Sequence, residues 1–233
     1  SSIPFHVPKV IVFESVYSMD GDLGPLKEIC ALAKQYNALT YLDEVHSTGL
    51  YGPHGGGIAQ ALGLTHDIDI IQGTLGKAFG LIGGYITGTK ELIDFIRSFS
   101  PGFIFTTSLP PAIVAGALVS INILKNSPHL RNQHQLNATY LKKKLEECGL
   151  PYLRNESHIV PLIVGDAQRC KEVTDRLLND YKIYVQPINY PTVPVGTERL
   201  RLTPSALHTP AMSDELVEAL TEIWRDLSLP QAA

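Results

Sequence analysis

The 233-residue chain reads as an α/β protein, a mostly parallel sheet layered with helices, followed by a smaller α+β region. Two observations lead there. From Lys9 to about Gly88, short apolar runs alternate with stretches of helical periodicity, the pattern of parallel strands joined by crossover helices. After Leu109-Pro110-Pro111 that alternation gives way to long helical periodicity, and a short strand–helix tail closes the chain.

In order, Val10–Phe13 is the first apolar strand, and a helix follows over Pro25–Tyr36. Pro25 suits a first helical turn, where its fixed φ is already correct and its missing N–H is not needed. Strands follow at Leu39–Leu42, Ile68–Ile71 and Gly84–Thr87. The prolines at 110 and 111 open a helix to about Leu124, and helical periodicity resumes from about His129 to Glu147. Ser127-Pro128 is the expected break, because a residue before proline is pushed out of the α region. Gly149-Leu150-Pro151 ends this stretch. Beyond it lie a strand near Ile159–Val164, a helix near Ala167–Asp180, strands near Ile183–Pro187 and Leu200–Thr203, and a helix near Asp214–Leu227. The domain boundary is placed at 125, with residues 1–125 as the sheet-bearing domain and 126–233 as the small carboxy-terminal one.

Composition narrows the function classes. With 44% hydrophobic and 18% charged residues the chain can bury a sizeable core, and a net charge of −4 offers no overall basic field for nucleic acid or an anionic membrane. No apolar run is long enough to span a bilayer. Cys30, Cys148 and Cys170 lack the close spacing of metal ligands and read as reduced packing residues; no metal site is expected.

The most informative stretch is Gly73-Thr74-Leu75-Gly76-Lys77-Ala78-Phe79-Gly80, which sets one lysine among glycines directly after an apolar strand. A lysine buried at a strand end has a depressed pKa and becomes a neutral amine able to attack a carbonyl and form a Schiff base. An ordinary glycine turn with a snorkelling surface lysine is the alternative. Upstream, Thr40-Tyr41-Leu42-Asp43-Glu44-Val45-His46 puts an aspartate and a histidine at the carboxyl end of another strand, where ligands of open α/β sheets bind. An ionised Asp43 can keep a pyridine nitrogen protonated, and a protonated ring is the electron sink of pyridoxal phosphate (PLP) chemistry. Asp43 as a cap after its strand, and His46 as a core histidine, remain the plain alternatives.

The strings Glu-Ser-Val-Tyr-Ser-Met-Asp-Gly (14–21), Asp-Glu-Val-His-Ser-Thr-Gly-Leu-Tyr-Gly (43–52), Gly-Thr-Leu-Gly-Lys-Ala-Phe-Gly (73–80), Gly-Phe-Ile-Phe-Thr-Thr-Ser-Leu-Pro-Pro (102–111) and Ile-Asn-Tyr-Pro-Thr-Val-Pro (188–194) resemble the α-oxoamine synthases, fold-type I PLP enzymes. The resemblance covers nearly the whole chain but not the family's amino-terminal part, with which any targeting segment is expected to lie. It implies that residues 1–125 are the later portion of the PLP-binding large domain. It also implies a homodimer whose site is shared across subunits, placed in a bacterial cytoplasm or a mitochondrial matrix. Among the family's activities it points to an acyltransferase that condenses glycine with succinyl-coenzyme A, giving the tetrapyrrole precursor 5-aminolevulinate, coenzyme A and carbon dioxide. The alternatives are a sister synthase (2-amino-3-ketobutyrate ligase, 8-amino-7-oxononanoate synthase or serine palmitoyltransferase type) or a catalytically silent fragment. Ser47-Thr48 departs from the Ala-Val often found in the family.

By the same resemblance Lys77 holds the cofactor and serves as general base, Asp43 meets the ring nitrogen, and His46 and Ser18 meet the ring's phenolate side. Thr74 meets the phosphate, and Thr106 and Thr107 reach the phosphate of the neighbouring subunit. Arg201 binds the amino-acid carboxylate and Thr192 the succinyl carboxylate. Ser18 and Thr192 have a turn as the plain alternative, and Thr106 and Thr107 have capping of the following helix. Arg199 and Arg201 share a strand face, so spacing alone does not separate them.

Overall fold

The computed structural model describes Pro4 and residues 6–232, in two compact units. The first comprises Ser1–Val16 and Leu23–Arg131, the second Tyr17–Asp22 and Asn132–Ala233. The division thus falls after Arg131 instead of residue 125, and an early segment is grouped with the carboxy-terminal half.

In the first unit the sheet runs β1 (Val10–Glu14), β2 (Leu39–Asp43), β3 (Ile70–Thr74), β4 (Gly84–Thr87) in that spatial order. The first three strands are parallel and β4 returns antiparallel to β3. Helix α1 (Leu26–Tyr36) forms the crossover from β1 to β2 and buries Leu26, Cys30 and Ala33, a spacing that puts all three on one face. Strand β3 starts later than the apolar run suggests. Asp69 is committed sideways instead: its Oδ2 accepts from the Thr40 amide (2.8 Å) and hydroxyl (2.9 Å), and its own N–H donates to Thr40 Oγ1. At its other end the strand stays paired with β4 as far as Thr74, opposite Gly84, which places that threonine at its carboxyl end.

Helices α2 (Ile58–Ala61), α3 (Lys90–Phe99), α4 (Pro101–Ile104) and α5 (Pro111–Lys125) complete this unit. The sequence reading passes over α3, although Thr89 is an N-cap whose hydroxyl accepts from the Leu92 amide.

In the second unit β5 (Val160–Ile163), β6 (Gln186–Ile188) and β7 (Arg199–Leu202) form an antiparallel sheet with β7 in the centre. Helices α6 (Pro128–Glu147), α7 (Ala167–Tyr181) and α8 (Pro210–Asp226) supply the apolar layer. Leu145, Leu162, Leu177, Leu200, Leu220 and Ile223 are fully buried in one cluster. The helix starts follow from side chains: Asp166 accepts from the Arg169 amide and Thr209 from that of Met212. Cys30 and Cys170 are packing residues; burial pushes the Cys170 thiol up to about 12, with Glu198 and Asp166 adding to the effect. Cys148 corrects the expectation, because it is exposed just past the end of α6.

His134 on α6 is buried beside His158, ring centres 4.9 Å apart. Burial pulls its imidazole below the ordinary value of 6.5, and a bond to the Pro204 backbone offsets only part of this. The folded state thus binds the proton less readily than the unfolded chain, so this contribution to stability is present above the unfolded pKa and is lost as pH falls. Urea midpoints should drop between about pH 7.5 and about pH 5.5, and by less in His134→Gln, where no imidazole is left to charge.

Candidate active site

The parallel register sets Asp43 beside Gln72 on the neighbouring strand, so Asp43 and Thr74 end adjacent strands on the same sheet edge. Asp43 is half-buried. Its Oδ1 accepts from the Val45 amide at 2.8 Å and its Oδ2 from Gln72 Nε2 at 3.1 Å, and Gln72 is itself paired with the Tyr41 hydroxyl. One carboxylate oxygen therefore does close the turn after the strand, as a capping residue would, while the other faces the neighbouring strand's side chain.

Lys77 lies in the connection between β3 and β4, and it is exposed. This corrects the expectation of a lysine buried at the strand end: the strand stops at Thr74, and the loop carries Lys77 into solvent. The loop is tied shut beneath it. Leu75 N–H donates to Gly83 O (2.9 Å), Leu81 N–H to Leu75 O (2.7 Å) and Gly80 N–H to Lys77 O (3.0 Å). Thr74 Oγ1 donates to Gly83 O and accepts from the Gly76 amide, both at 3.1 Å, and Ser120 on α5 donates to Phe79 O at 2.9 Å. The Thr74 hydroxyl thus shapes the loop that carries the lysine.

His46 is half-buried in the turn after β2. That turn is organised by a residue the sequence reading did not single out. Glu44 is fully buried, and its carboxylate accepts from Ser15 Oγ (2.6 Å), from Ser47 Oγ, and from the amides of Ile58 (3.1 Å) and Ala59 (2.7 Å). Its carbonyl accepts from the Ser47 and Thr48 amides and the Thr48 hydroxyl. The signal for it lies elsewhere in the chain: α2 starts at Gly57 with no side-chain cap of its own, and Glu44 supplies one from 14 residues upstream. Gly57 is required there, since at φ 101 a Cβ would sit 2.6 Å from the Glu44 carboxylate. Ser47 and Thr48, the departures from the family pattern, are both donors in this network.

In the second unit Ser18 is a turn residue, closed by the Gly21 amide on Tyr17 O at 2.9 Å, and Arg201 Nε donates to the Ser18 carbonyl at 2.8 Å. Tertiary structure separates the two arginines. Arg199 is buried and its guanidinium is engaged by Asp20 and by the Met19 and Thr197 carbonyls. Arg201 is half-buried, which pulls its guanidinium pKa down. Thr192 is exposed in a turn, its amide donating to Asn189 O. Thr106 and Thr107 are exposed, and α5 begins at Pro111 without a side-chain cap, so the capping alternative for them does not hold.

Removing the Glu44 carboxylate strands four donors in a buried place. Glu44→Ala should cost about 3–5 kcal/mol in urea denaturation. Ser47→Ala leaves the carboxylate its other donors and should cost about 1 kcal/mol. Equal losses would mean that the network has no centre.

5-Aminolevulinate synthase from Rhizobium meliloti is 59% identical over 97% of this chain, and that from Paracoccus denitrificans 58% over 95%. The chain spans a little over half the length of these curated relatives, 56% and 55%. A serine palmitoyltransferase from S. paucimobilis, solved with a bound PLP–myriocin aldimine, superposes with TM-score 0.92 at 34% identity, over 97% of this chain and 57% of that one. The aminotransferase class I and II model matches residues 2–220, and the chain belongs to that family.

Proposed function

We propose that the assembly containing this chain condenses glycine with succinyl-coenzyme A on PLP, giving 5-aminolevulinate, coenzyme A and carbon dioxide. The observation that carries the reading is an anchored aspartate and a loop-borne lysine following adjacent parallel strands at the sheet edge where such folds bind ligands. The donor set fits PLP: Asp43 is a carboxylate held by two N–H donors, and Lys77 is a primary amine reachable from solvent on a tied loop. The higher identity to 5-aminolevulinate synthases than to serine palmitoyltransferase supports glycine and succinyl-coenzyme A over the substrates of a sister synthase.

When bound, PLP supplies an electron sink for charge developing at the substrate Cα. Lys77 would be the residue that holds the cofactor, and its free amine would be the base that takes a proton from the glycine Cα. Asp43 keeps a proton on the ring nitrogen; the bonds from Val45 and Gln72 fix its orientation for that task. His46 orients the ring from the Glu44 turn and donates to developing oxyanion character. Ser18 meets the ring's phenolate side. Thr74 would meet the phosphate by turning its hydroxyl away from Gly83 O, and Thr106 and Thr107 would meet the phosphate in the partner subunit. Arg201 pairs with the glycine carboxylate through its planar fork, and Thr192 meets the succinyl carboxylate.

A homodimer is part of the proposal. Helix α5 is apolar on all sides yet buries only Ala117, leaving Leu118, Val119 and Ile123 more than half exposed, and Phe99 and Phe105 lie exposed before it. A helix of that composition is normally covered, and this supports a second polypeptide over it. Among the described residues no helix is long and apolar enough to cross a membrane. The compartment proposed is a bacterial cytoplasm or a mitochondrial matrix, the first supported by the bacterial relatives.

Borohydride should fix PLP on Lys77, and peptide mapping of the label to Lys90 or Lys9 would remove Lys77 from its role. Asp43→Asn should keep the trapped cofactor while losing about 100-fold or more in turnover, because an amide cannot hold the ring proton. Assay of glycine against a panel of acyl-coenzyme A substrates separates the proposed activity from its sister reactions.

A further inference from the structure

The segment Tyr17–Asp22 is gripped, one backbone carbonyl after another, by side chains from the far end of the sequence. Arg201 Nε donates to Ser18 O at 2.8 Å. Arg199 Nη1 donates to Met19 O at 3.2 Å and pairs with the Asp20 carboxylate at 2.5 Å, while its Nε is held by Thr197 O at 2.8 Å. Asn155 Nδ2 donates to Asp20 O at 2.8 Å, and Lys142 Nζ fixes Asn155 through its carbonyl (2.8 Å) and its Oδ1 (3.0 Å). Gly21 lets the loop lie this close: at φ 76 a Cβ there would sit 2.5 Å from Asn155 Nδ2.

An arginine side chain has many rotamers, and one that receives a substrate carboxylate must have the plane of its fork set beforehand. For Arg201 that plane is referred to Ser18 O, which is only as fixed as its loop. The loop is in turn fixed by the pair next to it, whose guanidinium side chain is 5% exposed and whose carboxylate is 56% exposed. The buried half is the anchor, and the exposed half is a latch that closes on it from solvent.

We propose that Asp20 and Arg199 are positioning residues for amino-acid binding: they latch the Met19–Asp20 backbone so that the Ser18 carbonyl sets the plane of the Arg201 guanidinium. The inference rests on the reading of Arg201 as the ligand of the glycine carboxylate. A latch of this kind acts on glycine affinity and leaves the chemical step and the acyl donor alone.

The test uses the PLP-loaded assembly that contains this chain. Glycine affinity is measured by spectral titration without acyl donor, beside steady-state constants for both substrates. Asp20→Ala should weaken glycine binding and raise its KM about tenfold, with kcat and the succinyl-coenzyme A KM changing less than about twofold. Asp20→Glu should restore most of the loss. In an Arg201→Lys background Asp20→Ala should add almost nothing, because its effect passes through that side chain. Asp20→Asn repeats the measurement if the alanine variant does not fold, with a smaller shift in the same constants. Unchanged glycine constants in the Asp20 variants while Arg201→Lys raises them would overturn the latch, as would a parallel loss in kcat and both KM values, or additivity in the Arg201→Lys background. If Arg201→Lys itself leaves glycine binding unchanged, the reading of Arg201 falls and the latch with it.

Discussion

Burying a carboxylate without full hydrogen bonding costs several kcal/mol, and the first unit buries one directly beside its candidate site. Glu44 is the residue around which that part of the chain is arranged. Its oxygens gather the end of β1 through Ser15, the turn after β2 through Ser47, and the start of α2 through two backbone amides. Asp43 and His46 sit on the turn so constrained. Their placement follows from satisfying an acid that itself has no part in the proposed chemistry.

The second unit solves a related problem with the opposite charge. Arg199 and Arg201 emerge from the central strand of a small sheet, and both find acceptors on a loop that precedes them by about 180 residues. Tyr17–Asp22 is grouped with the carboxy-terminal half, and these bonds lie within that unit. A loop with its carbonyls bound one by one is a rigid reference, and rigid references are what substrate-binding side chains need.

The apolar helices of the first unit carry a constraint of another kind. α3 is amphipathic with no buried residue, and the composition of α5 belongs to an interior. Such surfaces stand in water only at the cost of exposed hydrocarbon, the observation on which the proposed homodimer rests.

Much of the fold was legible in the sequence, because strand and helix periods and proline positions act locally. The β1, β2 and β4 strands, the break before Pro128 and the two-regime organisation all follow from such signals. The sequence also put forward candidates for the proposed chemistry, since Asp43 and Lys77 follow apolar runs, while Arg199 and Arg201 share one strand face and only the family resemblance chose between them. Tertiary structure decided the rest. It tied Asp69 to Thr40 ahead of β3, carried that strand to Thr74 in register with β4, left Lys77 exposed, and made Glu44 the cap of a distant helix. It also told the two arginines apart, burying one against Asp20 and leaving the other half-exposed on Ser18. The physical reason is the same each time: periodicity reports which face a residue occupies, whereas the partner of a buried charge is set by whichever distant segment the fold brings within hydrogen-bonding distance.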